Sequence, residues 1–136
     1  MSILSDRRSW EIHGNAATRH VFVGTDRLDH AESLKHVNHS PDGFNWGYGG
    51  SGPAQLAFAL LLKFFGPTAA KQLYQQFKVD YVSTWRQDED FHINLEEIWR
   101  WILRQSEAVE AKHYTREEVQ ELAKKGRWIV RDEDLL

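Results

Sequence analysis

The residues best suited to chemistry lie in the stretch "FNWGYGGSGP" at 44–53, where Gly47, Gly49, Gly50 and Gly52 surround Tyr48 and Ser51. If a helix starts here, its first N–H groups have no partner within the helix and, with the helix dipole, favour an anion. The glycines would let a phosphate approach the backbone, and Trp46 or Tyr48 would stack on a base. Trp46, Gly47, Tyr48, Gly49, Gly50, Ser51 and Gly52 are therefore the candidate ligand-binding set for a nucleotide or another anion. No Lys–Ser/Thr pair follows the last glycine, so this is not a P-loop, and the glycine spacing is not that of a dinucleotide fingerprint. The competing reading is structural and takes precedence. A buried helix needs a buried entrance, where glycines allow close packing and positive φ.

Histidine is the second source of chemistry. Of seven histidines, His30, His36 and His39 share one stretch with Asp29, Glu32 and Asp42. A metal site needs three or four such groups to converge, and this spacing is not a metal signature. The reading is a solvated polar loop with no metal and no cofactor. Asp88, Glu89 and Asp90 read as an acidic turn. Arg100 and Arg104 are four apart on one helix face, open to an anion or a partner, with ion pairs to Glu96 and Glu97 as the competing fate. No nucleophile elbow or HExxH motif occurs, so no catalytic residue is assigned and the chain reads as a binding protein rather than an enzyme.

Several elements must position these groups. "SWEIHG" and "RHVFVG" read as strands joined through "HGNAAT", with "GTD" as a second turn, giving a hairpin or a three-stranded meander. Residues 31–45 read as loop. The segment 53–65 is apolar nearly all round and predicts a central buried helix, with Pro53 at its first position, Ser51 or Gly52 as N-cap and Gly66 as its end. Pro67 opens a second helix whose apolar positions are Ala70, Leu73, Tyr74, Phe77 and Tyr81. Asn94 caps a third helix with Glu97 in the manner of a capping box, and Leu95, Ile98, Trp99 and Ile102 form its apolar face. Thr115 and Glu118 repeat that device for a helix closed by Gly126, and "RWIV" at 127–130 reads as a short strand.

The expected fold class is α+β, with an N-terminal β-hairpin or small antiparallel sheet packed on three to four helices around one central buried helix. A family-like domain would span 1–106 and a C-terminal helical extension 107–136. The 136 residues include 41% hydrophobic and 12% aromatic side chains, enough for a core. A formal net charge of −3 gives no broad basic face for nucleic acid. The chain has no cysteine, hence no disulfide framework. The absence of a signal-like N-terminus and of a membrane-length apolar run reads as a soluble, cytoplasmic protein.

The stretches "FNWGYGGSGPAQLAFALL", "AAKQLYQQFKVDYV" and "INLEEIWRWI" together resemble a small domain family of unknown function found in bacteria, archaea and their viruses. The matching positions are 46–56 together with Tyr74, Gln75, Phe77 and Lys78, and the resemblance covers roughly residues 18–103. It implies no activity. It does imply an accessory protein of viruses or mobile elements, of an anti-defence type, that binds a host or partner macromolecule without turnover. Trp101, read as lying off the apolar face of its helix, would be the exposed anchor of that interface, beside Arg100 and Arg104. The alternative is a small-molecule binder that holds a nucleotide or other anion at the glycine loop. Self-association is compatible with either reading.

Overall fold

The computed structural model of the chain describes residues 11–105. The sequence-based readings of a helix at 115–126, a strand at 127–130 and a C-terminal extension lie outside the described residues.

Alternating apolar and polar side chains build a small antiparallel sheet. Strand β1 is Glu11–Gly14, β2 is Val21–Val23, β3 is Asp26–Arg27 and β4 is Phe91–Asn94, in the order β3-β2-β1-β4. One face carries Ile12, Val21, Val23, Phe91 and Ile93, all buried. The period of two sends His13, Phe22 and His92 to the opposite face. The meander of β1, β2 and β3 follows the turn signals, but β4 is a strand that the sequence reading did not find. It pairs with β1 across a long stretch of chain, with Gly14 opposite Phe91. Gly14 has no side chain because none would fit: a Cβ there would collide with the Phe91 ring and lie 2.9 Å from the Trp46 indole.

Among the described residues four helices complete the fold, the first and third in chain order packing on the second and the fourth packing on β4. The five-residue helix α1, His30–Leu34, is capped by Asp29, whose Oδ1 accepts from the Glu32 N–H at 3.0 Å. It lies in the stretch read as loop, because a single turn carries too little periodicity to detect. Helix α2, Ser51–Phe65, is the buried centre. Of its fifteen residues only Ser51, Leu62 and Lys63 are not buried. It begins two residues earlier than expected, so Pro53 is its third residue and Gly50 its N-cap, in place of Ser51 or Gly52.

Gly66 joins α2 to α3, Pro67–Asp80, at φ +88°, a conformation that side chains disfavour. It caps both helices: its N–H donates to Leu62 O, and its carbonyl accepts from Ala70 N–H, each at 3.1 Å. A 3-10 turn, Val82–Thr84, leads on toward β4. Helix α4, Leu95–Arg104, follows β4 directly, with Asn94 Oδ1 accepting from Glu96 N–H at 2.8 Å as its N-cap.

Trp101 requires a correction. It is 2% exposed and lies in the core. It lies three positions beyond Ile98, which on an α-helix makes them neighbours on one face. Its ring meets Phe77 edge-on at 5.1 Å, and its Nε1 donates to Asp80 Oδ2 at 2.7 Å, fixing α4 against the end of α3.

Candidate functional site

The glycine stretch is a loop tied on three sides. Gly47 N–H donates to Val82 O at 3.0 Å. Gly47 also has φ +86°, and a Cβ on it would lie 2.5 Å from the Gln87 amide nitrogen. Trp46 is fully buried, and its Nε1 donates to Glu89 O at 3.0 Å. Lys78 Nζ approaches Gly49 O at 3.4 Å. The expectation of tight packing and positive φ thus holds at Gly47. Gly49 and Gly50 do not have positive φ, and a Cβ on Gly49 would meet nothing within 4 Å. Tyr48, 40% exposed, lays its ring against Gly50, with its hydroxyl near Gly52.

The loop ends at the start of α2, which has no side-chain cap and no acidic residue in its first turn. Pro53 has no N–H, and Ala54 N–H is taken by Gly50 O at 3.1 Å. Among the described residues the N–H groups of Ser51 and Gly52 have no hydrogen-bond partner within the helix. Gly52 borders a cleft of about 420 Å³ whose other walls include Arg19, Arg27, His30, Asp42 and Tyr48.

Arg19 was not singled out by its sequence, and its backbone is unusual. The β1–β2 hairpin loop is closed by Asn15 N–H to His20 O at 2.9 Å and Arg19 N–H to Asn15 O at 2.7 Å. Asn15 Oδ1 accepts from the N–H groups of Ala17 and Thr18 at 2.9 and 3.0 Å. This turn leaves Arg19 at φ +62°, the only non-glycine residue with positive φ among the described residues. Its guanidinium lies over the Trp46 ring, 4.6 Å from the centroid. Trp46 stands edge-on to Phe91 at 4.8 Å, and Phe91 stacks on Trp85 at 4.1 Å. The cation therefore rests on a pile of aromatic rings, and its Nη1 is buried with no hydrogen-bond partner among the described residues.

A buried glutamine supports the opposite wall. Gln55 is 0% exposed. Its Oε1 accepts from His39 N–H at 2.8 Å and Ser40 N–H at 3.2 Å. Its Nε2 donates to Ser33 Oγ at 2.8 Å and Val37 O at 3.0 Å. One side chain of α2 thereby holds the segment from Ser33 to Ser40.

The histidines of that segment do not converge. His30 Nε2 donates to Ser40 O at 2.6 Å, His39 Nε2 meets Tyr74 Oη at 2.7 Å, and the His36 ring lies against Phe58. Among the described residues no three His, Cys, Asp or Glu side chains are placed to hold a metal ion. Arg100 pairs with Glu96 at 2.9 Å on the exposed face of α4, and Arg104 donates to Tyr81 Oη at 3.3 Å. Both are remote in the chain from the residues that form the cleft.

Fold and site define a small α+β protein with a polar cleft at the entrance of its central helix. The chain belongs to a family of unknown function (DUF6166), whose model matches residues 11–104. No curated protein and no solved structure matches it. Among the described residues no helix is long and apolar enough to cross a membrane.

Proposed function

We propose that the protein is a small-molecule binder that takes an anionic ligand, of the organic phosphate class, in the cleft between Arg19 and the first turn of α2. The observation that carries this reading is Arg19 itself. A left-handed turn position that favours glycine instead holds, at the wall of the cleft, a cation whose Nη1 has no hydrogen-bond partner among the described residues. That nitrogen is buried against the protein, so a ligand oxygen in the cleft would meet the other N–H groups of the Arg19 guanidinium in a charge-assisted hydrogen bond. The N–H of Gly52, which borders the cleft at the start of α2, supplies a second donor for an anion. The cleft volume falls within the usual range for small-molecule sites, so there is room for an organic body beyond the phosphate.

The other reading is an interaction protein of a virus or mobile element that acts on a macromolecular partner. It leaned on Trp101 as an exposed anchor, and the burial of that ring takes the anchor away. Arg100 and Arg104 alone do not favour it.

Isothermal titration of the full chain with inorganic phosphate, a nucleoside monophosphate and a sugar phosphate tests the proposal. Saturable binding of at least one of them is expected, weakened about tenfold or more in Arg19→Gln through loss of a charge-assisted hydrogen bond. Equal affinity of the wild type and Arg19→Gln, or no binding of any of the three, would overturn it.

A further inference from the structure

The outer face of the sheet holds a second arrangement, independent of the cleft. His13 on β1 and His92 on β4 are directly opposite in the antiparallel register. Their neighbours Ile12, Gly14, Phe91 and Ile93 face the core, so both imidazoles emerge on the same outer surface. The rings stand 5.9 Å apart between centroids at an interplanar angle of 24°. Phe22 stacks on the other side of His13 at 5.1 Å and 18°, forming a wall behind it. His92 is exposed on an edge strand.

These two histidines differ from His30 and His39, whose ring nitrogens bond to Ser40 O and Tyr74 Oη. No ring nitrogen of His13 or His92 makes a hydrogen bond among the described residues. Two imidazoles whose nitrogens make no hydrogen bond among the described residues thus lie side by side, held by strand register rather than by long flexible loops.

We propose that His13 and His92 form a two-point chelate for a divalent transition-metal ion of the class that prefers imidazole, namely zinc, nickel or copper(II). Directly opposite residues of an antiparallel pair have Cβ atoms about 4.5–5.5 Å apart. Two nitrogens each about 2.1 Å from one ion are at most about 4 Å from each other. In the stack the two ring planes are nearly parallel, so chelation requires both rings to rotate about their side-chain bonds until their nitrogen edges converge on the ion, and His13 gives up its stacking on Phe22. Glu11 occupies the next outward position on β1, where its carboxylate accepts from Asn94 Nδ2 at 2.9 Å. No third His, Cys, Asp or Glu among the described residues completes a closed site. Water therefore fills the remaining coordination positions, and the ion exchanges readily. Because the chelate bridges β1 and β4, the ion ties together strands far apart in sequence, and binding stabilises the folded chain.

The test is a thermal melt and a calorimetric titration of the full chain with zinc chloride and with nickel chloride. One equivalent of ion is expected to bind and raise the melting temperature. His13→Asn and His92→Asn should each reduce affinity by about tenfold or more, since the second ligand acts at high effective concentration only when the first is present. His36→Asn and His39→Asn should bind as the wild type does. If His13→Asn is unstable without metal, His92→Asn alone decides, because that side chain is exposed. Affinity within about twofold of wild type in His92→Asn, or a loss that follows His36 or His39 instead, overturns the proposal.

Discussion

At the scale of single residues, Arg19 and Gln55 show how differently a polar group can be used. Arg19 is held in a backbone conformation that costs a non-glycine residue about 1–2 kcal/mol, while its position over Trp46 returns about 0.5–1 kcal/mol. Replacement by glycine removes both effects, whereas replacement by alanine keeps the strain and loses the ring contact. Arg19→Gly is therefore expected to be more stable than Arg19→Ala by about 1 kcal/mol in urea denaturation. A reversed order would show that the turn does not strain this residue. Gln55 is fully used in the fold, with four hydrogen bonds and no exposure. Gln55→Leu leaves the part-buried His39 N–H, Ser40 N–H and Val37 O without this partner and should cost about 1–3 kcal/mol. Amide hydrogen exchange should show the loss of protection concentrated at His39 and Ser40.

At the scale of elements, the glycine loop separates into positions that require glycine and positions that do not. Gly47→Ala combines positive φ with a collision against the Gln87 backbone, and should lower stability by about 2 kcal/mol or more. Gly49→Ala meets open space and should be neutral to within about 1 kcal/mol. Equal melting temperatures for the two variants would contradict this division. The sequence made α2 and α3 readable because their apolar periodicity is long and their ends carry Gly and Pro signals. The meander was readable from its turns. Strand β4 was not, because four residues lying between an acidic turn and a helix cap are too few for alternation to stand out. Trp101 was misplaced through a wrong estimate of which helix positions are neighbours. Within the site, the glycine loop was visible as a motif. Arg19 was invisible, because nothing in "NAATRH" announces a left-handed arginine resting on a tryptophan more than twenty residues away.

At the scale of the whole molecule, α2 is the element on which sheet and helices jointly close. Leu60 is 0% exposed near its middle. Leu60→Asp places an unpaired charge in the core, at a cost of several kcal/mol, comparable with the total stability of a small domain. The expected outcome is loss of the cooperative melt and of near-UV circular dichroism, and a variant with an unchanged midpoint would show that the core tolerates a charge there.

The sheet order has a consequence for how the chain is made. β1 occupies an inner position in the sheet, and one of its two neighbours is β4, at residues 91–94. During vectorial synthesis β1 and β2 leave the ribosome long before β4 exists. Throughout that interval one side of β1 is an open edge, with Ile12 uncovered and an empty space over Gly14 where Phe91 will later sit. Closing so long a loop is slow compared with forming a hairpin, and an open edge of this kind templates pairing with other chains. A nascent chain halted before Phe91 is therefore expected to aggregate where the longer chain does not, which light scattering of the two translation products would reveal.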